Sequence, residues 1–173
     1  MLTRQEIILR RLREEGQKIA DFFQSLNDAQ LDQQVYTTGP QWRARNLIAH
    51  FVSAERMFNL YGRQILVGGP GAPEDFVIDE FNAIQVEGLK DVGLSELVRQ
   101  FEEERARTVE VVSHMADSDF DRIGRHPWFG KVPLEQMLKL IYRHTMIHER
   151  DIRKALETSQ PVPHVDAQPP TTN

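Results

Sequence analysis

The chain contains no cysteine, so disulfides, thiolate metal ligands and a protein thiol nucleophile are all excluded. A reducing cytoplasm is the natural compartment for such a composition, and secretion is compatible with it. Long apolar runs are missing too: none approaches the ~18 residues needed to span a bilayer. The stretch from Met1 to Arg13 is charged and amphipathic and carries no signal pattern. Nor does charge of one sign dominate. The net charge of −5 comes from 21 basic and 26 acidic residues that are interspersed, with no basic block or aromatic-basic stripe to track phosphates. Neither membrane nor nucleic acid is an expected partner. No Gly-x-Ser-x-Gly, phosphate-binding glycine loop or dinucleotide fingerprint occurs, and Gly68 to Gly71 reads as a helix terminator with no basic residue placed for phosphate. A chain of 173 residues fits one domain and needs no covalent staples to bury a core.

What is present is helical periodicity. Thr3 and Glu6 form a capping box, and Ile8, Leu12, Ile19, Phe22 and Leu26 follow at helical spacing. A loop is expected from Asn27 to Gln41. The second helix carries Leu47, Phe51, Ala54, Phe58, Tyr61 and Ile65 on one side and stops near Gly68. Between Glu74 and Gly93 only a short helix around Asp79 to Glu87 is expected. Ser95 reads as the N-cap of a third helix bearing Leu97, Phe101, Val111, Val112 and Met115, and a loop spans Ala116 to Val132. The fourth helix starts at about Pro133 and carries Leu134, Leu138, Ile141, Thr145, His148, Ile152 and Leu156. This predicts an all-α four-helix bundle over residues 1–157, with a long crossover connection between helices two and three, and a flexible tail over residues 158–173. A weak internal repeat supports two hairpins: Ile8, Leu12, Glu15 and Ile19 align with Leu97, Phe101, Glu104 and Thr108.

Histidines supply the chemistry. His144 and His148, four positions apart, project from one face of helix four, and His50 lies beside the apolar face of helix two. Buried imidazoles need partners, and convergence on one cation satisfies all three together. Three imidazoles leave a coordination position open, as in catalytic sites. A packing role is the alternative for each. His126 and Trp128 read as packed loop anchors more readily than as pocket residues, and His114 and His164 as surface residues.

These motifs resemble the DinB/YfiT-like superfamily of metalloenzymes: a Trp-x-x-x-x-Leu-x-x-His segment, Trp42 to His50, paired with His144-x-x-x-His148. The resemblance covers nearly all of Leu2 to Leu156, including the Phe129-Gly130 loop before the last helix. It implies a four-helix bundle of unusual topology, a divalent metal such as zinc or nickel on His50, His144 and His148, frequent dimers, and thiol-dependent transferase or isomerase activity. Arg43 stands where relatives often carry a capping Ser or Thr. Asp151 stands where they often carry Gln.

Two glutamates sit on stripes where an apolar residue belongs, Glu15 and Glu104. Either could be a fourth ligand or a general base on a metal-bound water. The favoured alternative is that both reach out to Arg11 and Arg105 or lie near bundle ends. Asp151, three positions after His148, is placed to orient an imidazole from behind. The expected function is a metal-dependent enzyme acting on a small electrophilic substrate, with a low-molecular-weight thiol as possible cosubstrate; the rival is a bundle that sequesters a ligand without turnover. Ile7, Leu9, Val98, Val109, Met146 and Ile147 fall off the main stripes and predict a homodimer. Metal affinity is expected to fall below about pH 6.5, the ordinary histidine pKa.

Overall fold

The Thr3 capping box forms as the sequence predicts: Thr3 Oγ1 accepts from the Glu6 amide at 3.1 Å, and Glu6 Oε2 accepts from the Thr3 amide at 2.8 Å. It opens α1, Arg4–Gln24, in a computed structural model whose described residues are 1–164. A single turn, α2 (Asp28–Leu31), follows, and then α3 (Ala44–Leu66). Arg43 gives α3 no side-chain cap; Asn46 Oδ1 instead accepts the Arg43 amide at 2.9 Å. The short helix of the crossover is α4 (Ile78–Gly88). α5 (Leu94–Ser113) starts directly after Gly93, so Ser95, the expected cap, lies inside its first turn. α6 (Leu134–Thr158) begins after an extended Pro133.

The all-α bundle carries one small sheet that the sequence did not announce. Between a 3₁₀ turn, Asp117–Asp121, and α6, the expected loop contains an antiparallel hairpin, β1 (Ile123–His126) and β2 (Gly130–Pro133), with Ile123 opposite Pro133 and His126 opposite Gly130. The strands are too short for an alternating pattern to register in sequence. The hairpin is tied to the crossover, where Arg125 donates to Pro70 O at 2.8 Å and Ala72 donates to Arg125 O at 2.9 Å. Gly71 permits this approach: its φ is 83°, and a Cβ there would lie 2.6 Å from Arg125 O.

α1, α3, α5 and α6 make the four-helix bundle. α1 packs chiefly on α5 and α6, and α3 on α5, on the crossover helix α4 and on α6, so α1 and α3 stand diagonally although they are successive long helices. A simple up-down bundle would make them neighbours, and the crossing connections are the consequence. The arrangement places α3 beside α6, which is what brings His50 towards the His144 and His148 pair.

The apolar core is divided. One cluster holds Phe23, Tyr36, Phe51 and Phe101, and the other holds Ile8, Leu12, Phe58, Phe120 and Leu138. Of the six off-stripe residues, Val98 is in the core, Leu9, Val109 and Met146 pack against the second cluster, Ile147 is half-buried, and Ile7 alone is exposed. The surplus expected to drive dimerisation is therefore mostly covered within one chain.

The first part of the expected tail is not loose. Val162 donates to Val35 O at 2.8 Å and accepts from the Thr37 amide at 3.0 Å, pairing beside Tyr36. The rest of that tail, residues 165–173, lies outside the described residues. Among the described residues no helix is long and apolar enough to cross a membrane.

Candidate metal centre

Helical periodicity places all three histidines inward, and the bundle then closes them on one another. His50 Nε2 lies 2.9 Å from His144 Nε2, and His148 Nε2 lies 3.0 Å from the same atom. His50 and His148 are buried, while His144 keeps some contact with solvent. Each could offer one ligand atom, and these atoms lie within 4.8 Å of one another. Nitrogens sharing a tetrahedral ion at ~2.0–2.1 Å would stand ~3.3 Å apart, a few tenths of an ångström from the spacing seen. The residues present fit a divalent ion.

Electrostatics favours the ligand form. Burial, followed by the neighbouring His144, pushes the pKa of His50 and of His148 well below the ordinary histidine value. Despite its solvent contact, His144 is desolvated enough by surrounding atoms to be pushed down to about 4. All three rings are thus neutral near pH 7. Neutral imidazoles turn lone pairs towards a common point, where nothing but a cation or shared protons can relieve their repulsion.

The rings are held differently. His50 packs against Trp42, with centroids 4.8 Å apart, and near Phe51 at 6.2 Å, but its buried Nδ1 has no hydrogen-bond partner among the described residues. His148 is tethered: its Nδ1 lies 2.5 Å from the hydroxyl of Tyr36, which lies 3.2 Å from Asp151 Oδ2. Asp151 thus reaches His148 only through Tyr36, a residue in the segment expected to be a loop. His164, expected at the surface, stacks on His148 with centroids 5.8 Å apart and planes within 5°. A run of β-branched and aromatic residues, Val35-Tyr36-Thr37-Thr38, was the available signal for the extended segment that carries Tyr36.

Glu15 and Glu104 are placed elsewhere. Glu15 is buried but ion-paired with Arg11 at 3.0 Å and Lys18 at 3.1 Å. Glu104 pairs with Arg107 at 2.7 Å and accepts from Asn59 Nδ2 at 3.2 Å. Neither joins the three nitrogens, a group made up of imidazoles only among the described residues. Arg11 is the partner expected for Glu15; Arg105 instead serves Glu55, a buried acid that the stripe analysis missed. Glu55 follows Phe51 by four positions and precedes Phe58 by three, which was its signal. His126 anchors its turn, as expected, by accepting from the Trp128 and Phe129 amides at 3.1 and 3.3 Å.

The profile of the DinB superfamily matches residues 11–152. The chain belongs to the DinB superfamily. Solved structures agree on the fold. YfiT from Bacillus subtilis, described as a probable metal-dependent hydrolase with an unusual four-helix bundle topology, superposes with a TM-score of 0.73 at 18% identity, over 90% of this chain and 88% of that one. A mycothiol-dependent maleylpyruvate isomerase gives 0.72 at 17% identity over 88% of this chain, which spans only 63% of the isomerase. A sibling lethal factor precursor, DfsB, gives 0.73 at 16%, covering 94% of this chain and 100% of that protein. Identities this low establish a shared architecture and no shared activity. No curated protein matches the chain by sequence.

Proposed function

We propose that this superfamily member is a divalent-metal-dependent enzyme that acts on a small electrophilic substrate, by transfer of a low-molecular-weight thiol, by hydrolysis or by isomerisation. The observation that carries the reading is the convergence of the His50 and His148 Nε2 atoms on His144 Nε2, at 2.9 and 3.0 Å, with His50 and His148 buried and all three rings held neutral near pH 7 by desolvation. Zinc and nickel suit three imidazoles. Bound there, such an ion would supply Lewis acidity and a nucleophile deprotonated near neutral pH.

The chain's own residues do the rest. Trp42 and Phe51 wall the imidazoles off from bulk water, and His144, the one ring with solvent contact, marks the side from which a substrate enters. Because no carboxylate completes the ligand group among the described residues, a position is left for water, thiol or substrate. With no cysteine in the chain, any thiol must arrive as a small molecule. The names of the isomerase and hydrolase relatives support the same range of reactions. Glu15 and Glu104, held in ion pairs away from the imidazoles, have no role in this scheme. The cytoplasm remains the proposed compartment.

Metal analysis tests the reading directly. Wild-type protein titrated with zinc or nickel is expected to bind one ion per chain, and His50→Ala, His144→Ala and His148→Ala each to lose it with helix content intact. Normal stoichiometry in any two variants would overturn the site. Zinc-loaded protein is then expected to consume a thiol against a panel of small electrophiles, and His144→Ala to abolish that turnover.

A further inference from the structure

Tyr36 is the largest side chain of the core with no exposure at all, yet it ends in a polar group. Its hydroxyl touches two acceptor-capable atoms, His148 Nδ1 at 2.5 Å and Asp151 Oδ2 at 3.2 Å. Two gaps need two protons. A neutral His148 that carries its proton on Nδ1 fills the first gap, and the phenol then fills the second by donating to Asp151. If the imidazole proton sat on Nε2 instead, the single phenolic proton could serve only one gap. The other would set two lone pairs against each other in a buried site, and although the Nε2 proton could be donated to His144 Nε2, 3.0 Å away, an Nε2 that carries it has no lone pair left for an ion.

We propose that Tyr36 is the positioning residue of His148: backed by Asp151, it holds the Nδ1–H tautomer and so commits Nε2 to metal ligation. This rests on the metal-site reading above. Tyr36 is suited to the task because its backbone is pinned by bonds that do not involve the three imidazoles. Its backbone neighbours are bonded on two sides, Val35 N to Trp42 O at 2.8 Å and Thr37 N to Val162 O at 3.0 Å, and Gln34 Nε2 donates to Tyr36 O at 2.7 Å. The ring is pressed on by His164, with centroids 4.5 Å apart. The pairing of residues 161–164 with the segment around Tyr36 thereby acquires a purpose: it clamps the group that orients a ligand 112 positions away in sequence. His50, with no such partner on Nδ1, is held by packing alone.

Zinc affinity by chelator competition and ¹⁵N spectra of His148 test the proposal together. Tyr36→Phe, which keeps the ring and deletes the hydroxyl, is expected to weaken zinc binding roughly 10- to 100-fold, the usual cost of losing such a partner. Asp151→Asn is expected to cost less, and in the Tyr36→Phe background to add under about twofold, since it acts through the phenol. Val112→Ala, a core truncation in the other apolar cluster, controls for general destabilisation and should leave affinity unchanged. In metal-free wild type the spectra should show the Nδ1–H tautomer, shifting towards Nε2–H in Tyr36→Phe. Tyr36→Phe binding zinc as tightly as wild type, or a wild-type His148 protonated on Nε2, would overturn the assignment. If wild type bound no zinc, the metal reading would fall, and the spectra would still decide the role of Tyr36.

Discussion

Two buried polar clusters share α3, and only one of them is complete. Around Glu55, charge meets opposite charge: Arg105 Nε donates to Oε1 at 2.7 Å, Thr108 donates to Oε2 at 2.8 Å, and Arg105 Nη1 donates to Leu12 O at 2.9 Å. Arg105 Nη2 lies 2.6 Å from Oε1 without the alignment of a hydrogen bond, so the contact is ionic. Around His50 the balance fails. Three neutral rings direct their Nε2 atoms at one another, and His50 Nδ1 has no partner among the described residues. Opposite charges that cancel locally make a strut of the bundle. Three imidazole nitrogens that face one another, with no opposite charge among them, make a site that a cation would complete.

The comparison breaks most sharply at its structural half. Glu55→Ala would leave the Arg105 guanidinium buried and unpaired, and is expected to cost about 3–5 kcal/mol, the range for breaking a buried pair. Urea unfolding measures it; a loss below about 1 kcal/mol would show that Arg105 reaches water and that the cluster is no strut. The histidine half should respond to ligand instead. Zinc at 100 times its Kd is expected to stabilise the fold by about 2.7 kcal/mol in wild type, and to leave His144→Ala and His148→Ala unmoved in thermal denaturation.

For a single imidazole over one pH unit, acid has the smallest expected effect, and its sign follows from the depressed pKa values. In the unfolded chain these histidines take up protons near 6.5, while His144 in the native protein does so only at about 4. Stability of the metal-free protein should therefore be level above pH 6.5 and decline as pH falls towards 4, by up to ~1.4 kcal/mol per pH unit for each histidine. Zinc affinity of the native state should instead hold through pH 6.5, because the folded imidazoles resist protons there. This moves the onset of acid release below that expected from the ordinary histidine pKa. Affinity already falling tenfold between pH 7 and 6 would show that the rings are better hydrated than their burial implies.

The bundle was legible because helices announce themselves locally. The Thr3 capping box, the stripe of α6 and the four-residue spacing of His144 and His148 needed only neighbouring residues to be interpreted. The hairpin at Ile123–His126 was not legible, since four-residue strands carry too little alternation to stand out. Glu15 and Glu104 interrupt their apolar stripes, and both are buried. Spacing along a helix does not reveal which buried acid finds an internal cation, and Glu55 has its partner 50 positions on in α5.

From sequence alone came the helices, their inward faces and the three histidines, for these depend on backbone bonds and side-chain directions repeating within a few residues. Tertiary structure alone decided the partners. Tyr36 meets His148 across 112 positions, and Val162 meets Val35 and Thr37 only after the whole bundle has closed. Contacts of that separation leave no periodic mark in a chain, so what orients the candidate metal ligands had to be read from the fold.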